Sequence, residues 1–299
     1  QSILNSLNFI PNGIHLLISV SGGQDSMALM TLLDDIKEQH NWSINVWHGN
    51  HKWHNESEKF AKELKDYCYQ KKIIFFEDSA DQIDISTEEK ARKWRYEKLV
   101  EKASEICATN KNQNSLYIVT GHTSTDNTET FLLNLARGSN FGGLSGIPSK
   151  RLLNKVYFLV RPLMIFSRND TTAICKKLKI PFWVDPTNSD LQLKRNLIRH
   201  KIIHELEEIY PGCSNRISNF IEKIKNISQE RSELCELAIK SCSSDDGIRR
   251  TTLNGLGEQA RATILYSLLS KKCKKQISSK NIYDLSKQIS KKSSGKECF

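Results

Sequence analysis

The stretch Ser21-Gly22-Gly23-Gln24-Asp25-Ser26 lies between an apolar run at residues 14–20 and a run of helical character at residues 27–36. This order predicts a strand, a tight glycine turn and the start of a helix. The N–H groups of such a turn point outward, and the positive end of the helix dipole favours an anion. The stretch therefore predicts a phosphate site, with an ordinary serine-capped turn as the alternative.

The residue types in this turn suit a phosphate ligand. Gly22 and Gly23 let the backbone bend and come close to the ligand. Ser21 and Ser26 can donate hydroxyl hydrogen bonds, and Asp25 can hold Mg²⁺ or a cationic group of a substrate. Asp25 is therefore a candidate magnesium ligand.

Strands alternate with helices after this turn. Apolar runs predict strands at residues 44–46, 73–76 and 116–120, and helical patterns cover residues 56–70, 87–108 and 126–137. The alternation predicts right-handed crossovers and a parallel sheet covered on both faces. Ligands of such sheets bind beyond the carboxyl ends of the strands. We therefore expect the features that follow strand ends to meet in one crevice: residues 21–26, 48–51, 121–122 and the loop after residue 160.

A second polar stretch, residues 120–130, leaves a predicted strand and opens a helix. Asp126 and Glu129 lie three residues apart, on one face of the first helical turn, where acids also suit the helix dipole. Helix capping alone would also explain Asp126. The glycine-rich loop at residues 137–146 can bring backbone close to a ligand or simply turn a corner.

The character of the chain changes after residue 210. Helical patterns cover residues 215–239, 259–270 and 282–289, residues 243–247 form a break, and no strand pattern is convincing there. Of the net charge of +10, eight charges lie in residues 211–299, which carry 17 Lys and Arg against 9 Asp and Glu. Such a basic module indicates a polyanionic partner, most plausibly nucleic acid, with a lysine-rich solvated surface as the alternative.

The eight cysteines include no CxxC pair, which argues against a zinc ribbon or a disulfide framework and suits a reducing compartment. No run approaches the roughly 20 apolar residues of a membrane span, and no signal or transit peptide is recognisable. We expect no membrane association and a location in the cytoplasm, or in the plastid stroma for a gene of an organelle. The sequence leaves the oligomeric state open, and a homodimer is compatible with it.

SGGQDS resembles the PP-loop of the N-type ATP pyrophosphatases, which cleave ATP to AMP and pyrophosphate while adenylating a substrate. Further motifs narrow the resemblance to the tRNA(Ile)-lysidine synthase family. They are HGNH at 48–51 with Asn55-Glu56-Ser57, EEKARKWRY at 88–96, TGHxxxDxxET at 120–130, RGxxxGGLxGI at 137–147, RPL at 161–163, DPTNSD at 185–190 and RNLIR at 195–199. Departures from the family pattern are Thr125 in place of an acid, Asn127 in place of a common Gln, and Lys52-Trp53 in place of Leu-Arg.

This resemblance implies an α/β fold, with a parallel-sheet PP-loop domain of the adenine nucleotide hydrolase-like, Rossmann-like type at residues 1–210 and a smaller, all-helical, tRNA-binding domain at residues 211–299. It also implies a ligase that uses ATP and Mg²⁺. ATP adenylates the C2 oxygen of the wobble cytidine in the CAU anticodon of tRNA(Ile). The ε-amine of free L-lysine then displaces AMP to give lysidine, which changes codon reading from AUG to AUA.

The resemblance also implies roles for single residues. Those expected to bind ATP are Ser21, Gly22, Gly23, Gln24, Asp25 and Ser26, and Asp25, His122 and Asp126 are the catalytic candidates. Asp126 would bind and deprotonate lysine, with His122 nearby. Arg92 and Arg95 lie three residues apart on one helix face, which suits bidentate phosphate recognition. They are candidates for tRNA contacts together with Arg195 and Arg199, although solvated arginines paired with Glu88 or Glu89 would give the same pattern.

Three rival functions remain at this point. A tRNA 2-thiolation enzyme of the same superfamily would be expected to use cysteine pairs, which this chain lacks. A small-molecule amidotransferase or synthetase would not need the basic C-terminal third. A non-catalytic tRNA-binding protein would not need an intact SGGQDS stretch and Asp126.

Overall fold

The computed structural model describes residue 7 and residues 9–53, 55–80, 87–109, 116–184, 190–244, 247–272 and 277–290. The chain forms two compact units, residues 1–222 and 223–299. The division falls within one long helix, whereas the sequence predicts a domain boundary between residues 210 and 211. The assignment of catalysis to the first part and of tRNA binding to the second stays a prediction.

The first unit is built on a six-stranded sheet. Its strands are β1 (His15–Ser19), β2 (Ser43–Asn50), β3 (Ile74–Ser79), β4 (Leu116–Thr120), β5 (Lys150–Leu153) and β6 (Tyr157–Val160). They are arranged in the order β3-β2-β1-β4-β6-β5, and every neighbouring pair except the last is parallel. The predicted parallel sheet is therefore confirmed, with one antiparallel strand at an edge. That strand turns back tightly because Asn154 and Lys155 both adopt positive φ angles.

Helices connect these strands. In the first unit they are α1 (Gln24–His40), α2 (Ser57–Gln70), α3 (Glu88–Thr109), α4 (Ser124–Ala136), α5 (Phe141–Leu144), α6 (Arg168–Lys177), α7 (Lys194–Leu197) and α8 (Ile203–Ile209). A 3-10 turn covers Pro162–Ile165, and a turn of π-helix covers Ile198–Ile202. The predicted alternation of strands and helices up to residue 137 is confirmed.

Apolar residues cover both faces of the sheet. Leu16 and Ile18 of β1 pack with Met27 and Leu29 of α1 on one face. Leu17, between them, points to the other face, which packs against α3. This alternation buries β1 on both sides, as the run of apolar residues at 14–20 indicates.

The strand register brings the predicted site features together. Ser19 at the end of β1 lies between Trp47 of β2 and Thr120 of β4, and Val119 of β4 lies beside Val160 of β6. The glycine turn, the end of β2, residues 121–122 and Arg161 therefore lie at one edge of the sheet. The strand order also reverses direction between β1 and β4, which is where ligands bind in open α/β sheets.

The second unit is mainly helical. Its elements are the part of α9 (Cys213–Cys242) beyond residue 222, the two-residue strands β7 (Ser243–Ser244) and β8 (Gly247–Ile248), α10 (Arg250–Asn254), α11 (Glu258–Lys272) and α12 (Ser279–Ser290). Leu253, Ile264 and Ile282 form part of its core. The antiparallel pair β7–β8 corrects the prediction that this region has no strands, because two-residue strands leave no periodic pattern in a sequence. No described helix is long and apolar enough to cross a membrane.

Candidate active site

The glycine turn between β1 and α1 is shaped by its own serines. Ser26 Oγ accepts a hydrogen bond from the Ser21 N–H at 3.1 Å and donates one to the Gly23 carbonyl at 2.9 Å. Ser21 itself is exposed, and its hydroxyl oxygen lies 3.4 Å from the Gly23 nitrogen. The predicted strand, turn and helix are present, with the turn at the end of the sheet where a phosphate can reach it.

Two aromatic residues from other segments fix the backbone of this turn. His48 Nδ1 donates to the Val20 carbonyl at 2.8 Å, and the Trp183 N–H donates to the Gly22 carbonyl at 3.0 Å. Gly22 has a φ of +86°, and a Cβ there would lie 3.0 Å from the Trp183 ring. Sequence reasoning missed Trp183, since a contact between residues so far apart leaves no local signal.

A third neighbour of the turn is the backbone after β4. A Cβ on Gly121 would lie 3.1 Å from the backbone nitrogen and Cα of Ser26. Such a distance is tighter than normal packing allows, so the strand end can approach α1 this closely only with glycine at residue 121. The close approach brings His122 and α4 next to the glycine turn.

Gln24 and Asp25 bind the start of α6. Gln24 Nε2 donates to the Arg168 carbonyl at 2.9 Å and to the Thr172 hydroxyl at 2.8 Å. The Asp25 carboxylate accepts from the Arg168 guanidinium at 3.2 Å and from the Thr171 hydroxyl. Burial raises the pKa of Asp25 above its ordinary value, and Arg168 opposes this. No local pattern in the sequence indicates that α6 lies beside the glycine turn.

Asp126 both caps a helix and belongs to an ion-pair cluster. Its Oδ2 accepts from the Thr123 N–H at 2.8 Å and from the Thr123 hydroxyl at 3.0 Å, as a capping acid does. Its Oδ1 accepts from Arg195 at 3.0 Å and from Arg199 at 3.4 Å. Burial alone would raise the pKa of Asp126, but Arg195 and His122 hold it below its ordinary value.

Glu129, one turn further along α4, is fully buried between the same two arginines. Its carboxylate accepts from Arg195 Nε at 2.7 Å and from Arg199 Nε at 2.5 Å. Arg195 also pairs with Glu88 of α3 at 3.3 Å. The structure thus places the predicted tRNA contacts Arg195 and Arg199 on the acids of α4, with side chains 23% and 14% exposed. Glu129 was missing from the predicted site residues, although its spacing from Asp126 was the available signal.

His122 lies next to this cluster in its neutral form. Its Nδ1 is 3.1 Å from the Thr120 hydroxyl. Burial lowers the pKa of His122 to about 3, against the attraction of Asp126, and Arg161, Arg195 and Arg95 lower it further. The imidazole is therefore uncharged at neutral pH and can accept or donate a hydrogen bond.

The predicted pair Arg92 and Arg95 lies on α3. Arg92 is exposed, with its guanidinium carbon 5.4 Å from the centre of the Tyr96 ring. Arg95 is half-buried, and its buried Nε has no hydrogen-bond partner among the described residues. Arg95 is close enough to His122 to affect its pKa, so it belongs to the same edge of the sheet.

Asp25 is the predicted candidate for a magnesium ligand. No group of three or more His, Cys, Asp or Glu side chains is arranged to hold a metal ion by itself within the described ranges. Mg²⁺ commonly uses only one or two carboxylates together with substrate phosphates. A single carboxylate beside a phosphate-binding turn fits that donor set.

Comparisons with known proteins agree with this geometry. A family model described as a PP-loop domain matches residues 2–206. The tRNA(Ile)-lysidine synthase of Prochlorococcus marinus subsp. pastoris is 54% identical, over 99% of this chain and 88% of its own length. The chloroplastic tRNA(Ile)-lysidine synthase of Pyropia yezoensis is 35% identical over 70% of this chain and 61% of its own.

A solved structure shares the fold. It is a U34-tRNA thiolase from Methanococcus maripaludis, with a TM-score of 0.61 and 17% identity over 75% of this chain and 77% of its own. The likeness covers the fold alone, whereas the Prochlorococcus relative matches almost the whole chain in sequence. The chain therefore belongs to the PP-loop ATP-using proteins and, among them, to the tRNA(Ile)-lysidine synthase family.

Proposed function

We propose that this chain is a ligase that joins L-lysine to the wobble cytidine of a tRNA(Ile) with a CAU anticodon. ATP first adenylates the C2 oxygen of the cytidine and releases pyrophosphate. The lysine ε-amine then attacks C2, and AMP leaves with that oxygen. The proposal rests on one observation, the meeting of the glycine turn with His122, Asp126 and Glu129 at a single edge of the sheet.

The glycine turn would hold the polyphosphate. Its backbone N–H groups and the hydroxyls of Ser21 and Ser26 are the donors, and the start of α1 adds a favourable dipole. Asp25 would hold Mg²⁺ together with the phosphates, and the ion when bound supplies positive charge to the polyphosphate. Arg168 already lies 3.2 Å from Asp25 and adds a second positive charge there.

The acids of α4 would hold lysine. Asp126 has a lowered pKa, so it stays ionised and is a better partner for an ammonium group than an acceptor for its proton. Glu129 lies one turn away, and its carboxylate is already paired with Arg195 and Arg199. Because the His122 imidazole is uncharged, it can form a hydrogen bond with the cytosine base without repelling the lysine ammonium group. Positioning and electrostatics would therefore supply most of the rate enhancement.

The tRNA would be held by positive charge. Arg92 and Arg95 can contact its phosphates, and the basic residues beyond residue 210 can add electrostatic attraction. Reading an unpaired anticodon base fits the way proteins recognise RNA sequence. The expected location is the cytoplasm or the plastid stroma, and a homodimer is a further proposal that the molar mass in solution would test.

The decisive experiment supplies the protein with ATP, Mg²⁺, labelled lysine and a tRNA(Ile) transcript bearing CAU. We expect mass spectrometry of the digested RNA to find a lysine adduct on cytidine, with release of AMP. The variant Asp25→Ala should lose the adduct and keep its affinity for tRNA, which separates an enzyme from a tRNA-binding protein. ATP cleavage to AMP with other acceptors and no adduct would point to a different PP-loop activity.

A further inference from the structure

Four arginines surround one tyrosine at the edge of the sheet. The guanidinium carbons of Arg92 and Arg151 lie 5.4 and 4.9 Å from the centre of the Tyr96 ring. Arg161 Nη2 lies 3.5 Å from the Tyr96 hydroxyl oxygen, and Arg95 precedes Tyr96 on α3. We call these five residues the Tyr96 cluster.

The positive charges of the Tyr96 cluster have little acidic compensation, since Glu88 raises the pKa of Arg95 without forming a direct ion pair with it. In the described part of the chain, none of its four arginines forms an ion pair with a carboxylate. Arg161 is 1% exposed, and its Nη1 donates to the neutral carbonyl of Pro148 at 2.6 Å. Like charges placed together repel each other, so the cluster is short of an anion.

The cluster also contains unsatisfied hydrogen-bond donors. The buried Nε atoms of Arg95, Arg151 and Arg161 have no hydrogen-bond partner within the described structure. An unsatisfied buried donor costs about 1–3 kcal/mol, and more when it is charged. Burial lowers the pKa of Arg95 and of Arg161, and Tyr96 opposes this shift in both. A phosphate group supplies both the negative charge and the acceptor oxygens.

The position of the cluster favours RNA over ATP as the source of that phosphate. Arg161 directly follows β6, whose Val160 lies beside Val119 of β4, so it is close to His122. Arg151 lies on β5, three strand positions from the glycine turn, a distance of roughly 14 Å. One anion site therefore lies at the turn and a second lies beyond the catalytic candidates.

We propose that the Tyr96 cluster binds a backbone phosphate of the RNA next to the reacting nucleotide. Tyr96 supports two guanidiniums through its ring and a third through its hydroxyl, so the arginines are in place before the RNA arrives. The inference rests on the proposed function, since it assumes an RNA substrate, and it adds Arg151, Arg161 and Tyr96 to the residues predicted from the sequence.

The test uses Arg151→Gln, because Arg151 is only half-buried and lies outside the catalytic candidates. We expect its Kd for a CAU-bearing tRNA(Ile) transcript to rise about ten-fold. The slope of log affinity against log salt should fall by about one. Arg151→Lys should keep the salt slope and recover part of the affinity. The KM for ATP should not change.

The control is Lys37→Gln, which also removes one positive charge, in this case one that is paired with Asp34 at 2.8 Å. Lys37 lies near the end of α1, at the opposite edge of the sheet from the glycine turn. Equal tRNA affinities of Arg151→Gln and Lys37→Gln, with wild type forming the lysine adduct, would overturn the inference alone. A raised KM for ATP with normal tRNA affinity would also overturn it and assign the cluster to the nucleotide. Weakened RNA binding by a protein that forms no adduct would support the cluster and reject the proposed function.

Discussion

The two carboxylate oxygens of Asp126 make different contacts. One oxygen caps α4 through Thr123, and the other faces Arg195 and Arg199. The sequence suggested capping and chemistry as alternatives, and the structure combines the capping contact with a position beside His122. A single side chain can do both because a carboxylate has lone pairs for about four hydrogen bonds.

We predict that Asp126→Asn raises the KM for lysine about ten-fold or more, because the variant removes the charge that attracts the ammonium. An amide oxygen still caps a helix, so thermal stability should change little from this source. Asp170→Asn is the control, since Asp170 caps α6 through Ser167 with the same geometry and pairs with no arginine in the described part of the chain. Equal lysine KM values for the two variants would assign Asp126 to capping alone.

Single residues were predictable where their neighbours in sequence define them. Asp126, His122 and residues 21–26 could be proposed as site residues because each belongs to a stretch that leaves a strand and opens a helix, and their roles stay predictions. Trp183, Thr171 and Arg168 were not recognised, since they meet the glycine turn only after the chain has folded. No local pattern reports such a contact.

At the scale of elements, the conformation of the glycine turn depends on contacts with other segments as well as on its own residues. The carbonyl of Gly22 is held by the Trp183 N–H, while the ring of Trp183 lies where a side chain at residue 22 would go. The Trp183 indole N–H also bonds Glu63 of α2. The turn is therefore tied to α2 and to the segment after α6.

We predict that Gly22→Ala weakens ATP binding and lowers the free energy of unfolding, because its Cβ meets the Trp183 ring at a positive φ. Gly138→Ala is the matched control. Gly138 has a φ of +72° and no atom within 4 Å of an added Cβ, so it reports the backbone strain alone, about 1–2 kcal/mol. Urea unfolding and the KM for ATP measure both effects. Equal losses in the two variants would show that the contact with Trp183 does not matter.

The hydrophobic periodicity of the sequence predicted the central strands of the sheet, and the exceptions are short strands. Apolar runs predicted the central strands because burial on both faces requires them. The antiparallel direction of β5 and the pair β7–β8 were not predicted, since short strands at edges and in turns leave few residues in any pattern. Of the DPTNSD motif at residues 185–190, residues 185–189 lie outside the described residues, so the motif stays a resemblance in sequence alone.

For the whole molecule, acid should destabilise the fold through its buried histidines. Burial lowers the pKa of His48 and of His122, so the unfolded chain takes up protons below pH 6.5 that the folded chain does not. Stability is therefore fully present above that pH and is lost as the pH falls. Each histidine contributes at most about 1.4 kcal/mol per pH unit. The raised pKa of Asp25 acts in the opposite sense, over the pH range between the raised pKa and the ordinary one.

Unfolding by urea at pH 7, 6 and 5 measures this dependence. We predict a shallower fall for His122→Gln than for wild type, because one of the two histidines is then missing. His204→Gln is the control, since His204 is exposed on α8. A fall as steep in His122→Gln as in His204→Gln would mean that His122 is not a source of the acid sensitivity.

The carboxylates of the proposed lysine site are already neutralised by arginines. The site consists of Asp126, Glu129, Arg195 and Arg199. Two guanidiniums balance two carboxylates, so a simple cation gains little by entering. Only a ligand that directs several N–H groups at the remaining carboxylate lone pairs can compete with Arg195 and Arg199. Such a site would select its amine by geometry, and monovalent salts in the cell would leave it unchanged.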